Sequence, residues 1–173
     1  MIVYKQDIKK MKEEKLKKIN TFILDVDGVL TDGYLLISET GKYLRRMNIK
    51  DGYSIRYARS KGYLICVISG AEQALMRERF DKLGIDEVYV ASKDKLVSYE
   101  DLKKKYDLKD DEVIFIGDDM PDITLLKKVG FSCCPNDACE DVLSVVDHVL
   151  DKRGGEGCVR EIIEKVMKLQ GKW

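Results

Sequence analysis

The sequence has little proline, one histidine and no excess of either charge, and each shortage argues against a class of protein. Only two of the 173 residues are proline, so no Pro-rich linker marks a boundary between domains. Basic and acidic residues number 31 each, which leaves no net field to attract nucleic acid or an anionic membrane. The five cysteines form no C-x-x-C pair, so we expect reduced packing thiols and no zinc site. The histidine, His148, lies in an apolar run away from any acid cluster, and a catalytic role is not expected.

Long apolar runs are also missing. No stretch approaches the roughly 20 apolar residues that span a bilayer, and the lysine-containing first 20 residues lack the apolar centre of a signal peptide. We therefore expect a cytoplasmic protein with no membrane partner. The composition, 45% hydrophobic and 36% charged, is typical of a globular protein, and the length suits one domain over residues 1–173.

The stretch from Thr21 to Asp32 is the most informative part of the sequence. Its apolar residues 22–24 run into Asp25, and this short run, bounded by a glycine, predicts a buried strand. Residues two apart in a strand share a face, so Asp25 and Asp27 should converge near its end. Two close carboxylates need a compensating group, and a hard divalent cation is the simplest one. A strand followed by an ordinary Asp-Gly turn explains the same pattern, so this motif alone leaves both interpretations open.

Further apolar runs alternate with helical patterns along the chain. This alternation predicts an α/β fold with a parallel sheet covered by helices on both faces. Asp51 is expected to cap the second helix. Strands are predicted at 63–68, 87–90, 112–116, 131–134 and 145–149, and helices at 5–18, 51–60, 71–83, 95–106, 124–129 and 156–169.

Residues 33–47 break the alternation. Two β-rich runs flank Glu39-Thr40-Gly41, which predicts a β-hairpin. The first run has four consecutive apolar residues, 34–37. An isolated hairpin is marginally stable in water, so we expect this one to be covered, with another subunit as one candidate.

Polar side chains follow four of the predicted strands. In parallel sheets, ligands bind outside the carboxyl ends of the strands. The acids suit Mg²⁺, whereas a hydroxyl, an ammonium and free N–H groups at a helix start suit phosphate oxygens. Taken singly, a helix cap, a solvated lysine and an acidic turn explain the last three motifs. The groups are Asp25 and Asp27 after the first strand, Ser69 and Gly70 after the second, Lys95 after the third, and Asp118, Asp119 and Asp122 after the fourth.

These motifs resemble those of the haloacid dehalogenase superfamily of phosphatases. The matching segments are D-V-D-G-V from Asp25, I-S-G ending at Gly70, Lys95, and G-D-D-M-P-D from Gly117. The hairpin in place of a cap domain is similar to a capless branch, the 3-deoxy-D-manno-octulosonate 8-phosphate phosphatases and their relatives that act on nine-carbon ulosonate 9-phosphates. N-I-K-D-G-Y from Asn48 and R-G-G-E-G from Arg153 support that resemblance.

The resemblance implies a three-layer Rossmann-like fold, a Mg²⁺-dependent phosphatase and a role for each motif residue. Asp25 would attack phosphorus and carry the phosphoryl group. Asp27 would protonate the leaving oxygen, then deprotonate the attacking water, and its backbone carbonyl would touch the metal. The other implied roles are metal binding by Asp25 and Asp118, support of the metal site by Asp119 and Asp122, and phosphate binding by Ser69, Gly70 and Lys95.

The resemblance also implies a homotetramer whose hairpins form a central barrel, and a phosphorylated sugar acid as substrate. Arg153–Gly157 would be a flexible tail that reaches a ligand, with a glycine-rich turn as the alternative. The favoured substrate is 3-deoxy-D-manno-octulosonate 8-phosphate, which implies lipopolysaccharide biosynthesis. However, Glu156 fits the pattern of enzymes for 2-keto-3-deoxy-nonulosonate or N-acylneuraminate 9-phosphate, whereas Ala71 does not fit that pattern cleanly and N-I-K-D-G-Y favours the octulosonate enzymes. Candidate substrate contacts are Asp51, Arg79, Lys82, Arg153 and Glu156.

Three other functions share parts of this pattern. A non-enzymatic phosphoacceptor of the receiver type also surrounds Mg²⁺ with acids, a hydroxyl and a lysine, but it has no need for Asp27, and its acceptor ends a later strand. A phosphosugar mutase needs a helical cap, and no insertion of that size follows Thr31 or Gly70. A regulatory module of a sugar-nucleotide synthetase stays open as a non-covalent association.

Overall fold

The computed structural model describes residues 2–71 and 76–173, with side chains described from residue 10 onward. The strands in these ranges are β1 (Thr21–Leu24), β2 (Leu36–Ile37), β3 (Tyr43–Leu44), β4 (Leu64–Ile68), β5 (Glu87–Tyr89), β6 (Val113–Ile116), β7 (Phe131–Cys134) and β8 (His148–Val149). The helices are α1 (Ile2–Lys18), α2 (Ile49–Ser60), α3 (Arg77–Leu83), α4 (Lys95–Tyr106), α5 (Ile123–Leu126), α6 (Glu140–Leu143) and α7 (Cys158–Leu169).

Six of the strands form one sheet in the order β5-β4-β1-β6-β7-β8. The central strand β1 pairs in parallel with β4 on one side and with β6 on the other. Helices connect the strands and cover the sheet, so the predicted three-layer α/β fold is confirmed. Because β1, β4 and β6 are parallel, the residues that follow them meet at one edge of the sheet.

The core lies on both faces of the sheet because successive side chains of a strand point to opposite sides. Phe22 and Leu24 pack with residues of α1, α2, α3 and α7, whereas Ile23 packs with residues of α4, α5 and α6. All of β1 is buried, as is usual for a strand inside a parallel sheet. Each such side chain stabilises the fold by roughly 1.5–3 kcal/mol. The strand that ends at Asp25 is therefore firmly held.

The predicted hairpin is present between β1 and α2. Strands β2 and β3 are antiparallel, with Leu36 opposite Leu44, and their side chains are exposed. At its base, a bridge between Thr31 and Met47 ties the hairpin to the segment after β1. The hairpin thus presents an apolar surface and is anchored beside the carboxyl end of β1.

Several local features differ from the predictions. The expectation that Asp51 caps α2 is wrong: the side chain of Asn48 caps this helix by accepting from the N–H of Lys50 at 2.8 Å. The helix predicted over 71–83 is seen from Arg77, and residues 72–75, which include Glu72, lie outside the described ranges. Among the described helices, none is long and apolar enough to cross a bilayer.

Candidate active site

The edge formed by β1, β4 and β6 holds a cavity of about 300 Å³. Each strand end contributes polar residues because the chain leaves the sheet there and its side chains are released from the core. The cavity lining includes all eight motif residues singled out from the sequence, namely Asp25, Asp27, Ser69, Gly70, Lys95, Asp118, Asp119 and Asp122.

Lys95 is buried at the floor of the cavity, at the first position of α4. Its Nζ lies 2.8 Å from Oδ1 of Asp25 and 2.5 Å from Oδ1 of Asp122. Burial alone lowers the pKa of Lys95, but the carboxylates of Asp25 and Asp122 outweigh burial and raise it above the ordinary value. The ammonium is therefore charged and holds two carboxylates in fixed positions. Because Lys95 is buried, the simpler interpretation of this residue as a solvated helix position is excluded.

Asp122 is oriented by its own turn. Its Oδ2 accepts from the backbone N–H groups of Asp118, at 2.9 Å, and Asp119, at 3.2 Å. A Cβ at Gly117 would come within 2.6 Å of the Asp122 carboxyl group. Glycine at position 117 therefore lets the end of β6 fold tightly over this carboxylate. Asp119 closes the turn by accepting from the N–H of Met120 at 2.8 Å.

Three carboxylates converge in the cavity. Oxygens of Asp25, Asp118 and Asp122 lie within 4.8 Å of one another. Oδ1 of Asp118 is buried and has no hydrogen-bond partner in the described part of the chain. Burial, followed by the charges of Asp25 and Asp122, raises the pKa of Asp118 to about 8, and burial also raises that of Asp25. This excess of hard oxygen donors, one of them without a partner, fits a divalent cation such as Mg²⁺.

Asp27 lies at the cavity wall on a tight turn, Val26–Leu30. Gly28 follows it with φ 88°, a conformation that favours glycine, and a Cβ there would meet Oδ2 of Asp118 at 2.0 Å. The Asp27 carboxylate forms an ion pair with Arg45, which the sequence analysis missed. The only signal in the sequence was a basic residue within the second run of the hairpin, where a solvated position is the ordinary expectation.

Ser69 and Gly70 follow β4 and line the same cavity as the acids. Ser69 is buried, and its backbone N–H donates to the carbonyl of Tyr89 on the neighbouring strand at 2.9 Å. Its Oγ accepts from the N–H of Ala71 at 3.3 Å. This loop places a hydroxyl beside the carboxylates, which is the arrangement that an oxyanion with a cation would need.

The residues proposed as substrate contacts do not line this cavity. Asp51, expected to contact substrate, is 1% exposed between α2 and α7. It accepts from the N–H of Arg160 at 2.6 Å and so caps α7, whose N-cap residue, Gly157, has no side chain. Burial raises the pKa of Asp51 to about 6. Asp51 is therefore a structural residue in this chain, and its contact with substrate stays a prediction.

The remaining substrate candidates lie outside the cavity as well. Lys82 pairs with Glu78 at 2.6 Å on an exposed helix face, which is the ordinary solvated arrangement. Arg79 lies beside the hairpin along a separate groove. Arg153 pairs with Asp137 at 3.2 Å, and Glu156 is exposed. Within one chain, none of these four side chains lines the space between Asp25 and Ser69.

The glycine-rich segment 153–157 is not the flexible tail that the resemblance implied. Gly154 and Gly155 are buried, and the Gly155 N–H donates to the carbonyl of Val29 at 2.9 Å. A Cβ at Gly154 would lie 1.9 Å from the carbonyl oxygen of Gly28. The segment is a packed turn behind the loop that carries Asp27, and its glycines allow the two backbones to touch.

Comparisons with known proteins identify the family of the chain. A family profile described as haloacid dehalogenase-like hydrolase matches residues 87–162. The chain is 35% identical to the 3-deoxy-D-manno-octulosonate 8-phosphate phosphatase of Escherichia coli K12, over 91% of this chain and 84% of that protein.

Solved structures extend the likeness to three dimensions. A haloacid dehalogenase superfamily (subfamily III A) hydrolase from Legionella pneumophila superposes with a TM-score of 0.95 at 35% identity, covering 98% of this chain and 93% of the other. The 3-deoxy-D-manno-octulosonate 8-phosphate phosphatase of Moraxella catarrhalis, solved with magnesium, phosphate and the sugar acid, gives 0.89 at 31% identity, covering 92% and 91%. The chain therefore belongs to the haloacid dehalogenase-like hydrolases, in the branch that contains the 3-deoxy-D-manno-octulosonate 8-phosphate phosphatases.

Proposed function

We propose that this protein is a Mg²⁺-dependent phosphomonoester hydrolase that converts 3-deoxy-D-manno-octulosonate 8-phosphate to the free sugar acid and phosphate. The observation that carries the proposal is the juxtaposition of a buried Asp25–Lys95 pair with a three-carboxylate cluster in one cavity. The names of the relatives, which agree on one substrate, support the choice of sugar acid.

Each side chain has a task in this reaction. Asp25 attacks phosphorus, the bond to the sugar oxygen breaks, and the phosphoryl group is carried as an aspartyl phosphate. Asp27 gives its proton to the departing oxygen and then takes one from the water that cleaves the intermediate. Lys95 keeps Asp25 ionised and in place. When bound at the carboxylate cluster, Mg²⁺ neutralises charge on the phosphoryl group and orients it.

Phosphate recognition in this proposal uses the end of β4. The hydroxyl of Ser69 and the N–H of Gly70 are the proposed donors to phosphoryl oxygens, because both residues line the cavity. Asp119 and Asp122 support the site from its turn, where Asp122 accepts from two backbone N–H groups. The backbone carbonyl of Asp27 is proposed as a further metal ligand.

The decisive experiment compares kcat/KM for octulosonate 8-phosphate, nonulosonate and N-acylneuraminate 9-phosphates, and simple phosphosugars. We expect the octulosonate ester to lead, and Asp25→Asn to abolish turnover while Mg²⁺ and substrate still bind. A preference for a nine-carbon ester would reassign the substrate. An aspartyl phosphate that accumulates without turnover would favour the receiver-type phosphoacceptor.

We also propose that the protein is a homotetramer held together by the hairpin. An apolar surface this exposed is rare on a monomer: Tyr34 is 74%, Leu36 67% and Ile37 64% accessible. In such an assembly a neighbouring subunit would lie near the cavity, because the hairpin begins next to Asp27. A cytoplasmic location stays a prediction from the sequence.

A further inference from the structure

Arg45 donates two hydrogen bonds to the carboxylate of Asp27. Its Nε lies 2.6 Å from Oδ1, and its Nη2 lies 3.2 Å from Oδ2. The arginine side chain is 15% exposed and that of Asp27 36%. Side-by-side contacts of this kind fix the plane of a carboxylate as well as its position.

The turn that carries Asp27 leaves its side chain partly exposed. Asp27 sits on a turn next to Gly28, is partly exposed, and accepts from Thr31 Oγ1 at the long distance of 3.4 Å. A general acid or base contributes only when its carboxyl group points at the reacting oxygen. A contact that reaches both oxygens of Asp27 from outside the turn restrains that direction.

The base of the hairpin provides this contact because it is joined to the same turn. Met47 forms a backbone bridge to Thr31, and Arg46 Nε pairs with Asp32 at 2.9 Å. Arg45 directly precedes these two attachments and directly follows β3, which pairs with β2. The position of the Arg45 guanidinium is thus set by contacts of the chain on both sides of Arg45.

We propose that Arg45 is a positioning residue that holds Asp27 in the orientation required for proton transfer to and from the substrate. This inference rests on the proposed phosphatase function. Arginine remains protonated throughout. In this cycle Asp27 begins as the carboxylic acid and gives its proton to the leaving oxygen. Arg45 then holds the resulting carboxylate, which regains a proton from the water that cleaves the aspartyl phosphate. The hairpin thereby contributes to catalysis within its own chain.

The test uses two esters that differ in their need for an acid. The alkoxide leaving from octulosonate 8-phosphate requires a proton, whereas p-nitrophenolate, a far weaker base, leaves from p-nitrophenyl phosphate without one. Because kcat/KM reports steps up to the first irreversible one, loss of acid orientation affects the first ester selectively. A general loss of structure would reduce both values alike.

We expect Arg45→Met to lower kcat/KM for octulosonate 8-phosphate by about 10- to 100-fold. The same variant should lower kcat/KM for p-nitrophenyl phosphate by less than about 3-fold. Arg45→Lys should recover part of the loss because it keeps a charged donor. Asp27→Asn should give the same selectivity with a larger loss. The matched control is Arg59→Met, which removes an arginine paired with Asp86 at 2.9 Å, away from the cavity, and should leave both values unchanged.

Three results for Arg45→Met would overturn the proposal: equal losses of kcat/KM on both esters, no loss, or a gain in activity. A gain would mean that the ion pair with Asp27 lowers the activity of the wild-type enzyme. If Arg45→Met fails to fold, Arg45→Lys and Arg45→Gln carry the same comparison. A wild-type protein that hydrolyses neither ester refutes the phosphatase, and crystal structures then test Arg45 separately. An Asp27 carboxylate in the same place in wild type and in Arg45→Met would end the proposal.

Discussion

Asp25 and Asp122 share one buried ammonium, so the charge balance of the cavity floor depends on Lys95. Removing one partner of a buried ion pair costs about 3–5 kcal/mol, because the other charge stays buried without compensation. Without added metal, Lys95→Met should lower the free energy of unfolding by about that amount, measured by urea denaturation. Activity should fall as well, because Asp25 would lose the group that keeps it ionised.

A matched control for Lys95 is Lys128→Met. Lys128 also contacts an aspartate, Asp110 at 3.1 Å, but it lies on the surface. Exposed ion pairs contribute little to stability because water and salt screen them, so this variant should unfold almost like the wild type. Equal stability of the Lys95 and Lys128 variants would show that Lys95 does not balance the buried charges of Asp25 and Asp122.

Asp51 gives a pH-dependent prediction away from the metal cluster. Burial raises its pKa in the folded protein to about 6, above its ordinary value of 3.8. Its contribution to stability is therefore full at low pH and is lost as the pH rises through 6. Asp51→Asn cannot lose a proton at this position. Relative to wild type, its free energy of unfolding should rise by about 2–3 kcal/mol between pH 4 and pH 8.

Urea denaturation across that pH range measures the effect as a difference between the two proteins, so titration of distant groups cancels. Asp111→Asn, which removes an exposed carboxylate, should show a nearly constant difference from wild type. A constant difference for Asp51→Asn too would show that the buried carboxylate at the start of α7 does not change its protonation between pH 4 and pH 8.

At the scale of elements, the sheet and the ends of its strands were predictable because they depend on local patterns. Apolar runs reveal buried strands, and the acid, hydroxyl and lysine positions follow from where those runs stop. The partners of Asp51 and Gly154 were not predictable, because Arg160 and Gly28 are more than a hundred residues distant from them in the chain. The role of Arg45 was not predictable for a similar reason, because its contact with Asp27 depends on how the hairpin packs on the turn at Val26–Leu30.

The packed turn at 153–157 leads to a prediction about the element it supports. At Gly154 an added methyl group would lie 1.9 Å from the carbonyl oxygen of Gly28, so Gly154→Ala must displace the turn that carries Asp27. We expect a protein that folds with reduced stability and has at least about 10-fold lower kcat, since displaced catalytic groups commonly cost that much or more. Steady-state kinetics and thermal melting measure the two effects.

The control for Gly154 is Gly171→Ala. Gly171 has φ 67° but nothing within 4 Å of an added Cβ, so the variant carries only the backbone cost of a left-handed alanine, about 1–2 kcal/mol. Its kcat should match that of the wild type. Normal kcat in Gly154→Ala would show that the segment does not support the catalytic turn.

For the molecule as a whole, the hairpin surface predicts the state of assembly. The side chains of Leu36 and Ile37 are accessible in one chain, and a charge placed there would be buried without a partner if four hairpins meet. A buried unpaired charge costs several kcal/mol, so Leu36→Glu with Ile37→Glu should convert the proposed tetramer to smaller species in sedimentation experiments. Val97→Glu is the control, since Val97 is equally exposed, at 67%, on α4.

The same variant separates assembly from chemistry. Arg45, Asp27 and the carboxylate cluster all belong to one chain, so the dissociated protein should still hydrolyse p-nitrophenyl phosphate. Activity on the sugar-acid ester should fall through a higher KM, because in one chain none of the proposed sugar contacts lines the cavity and a neighbouring subunit would have to supply them. An unchanged KM for that ester in a dissociated protein would place sugar recognition within the single chain. A wild-type protein that sediments as a monomer would contradict the proposed tetramer.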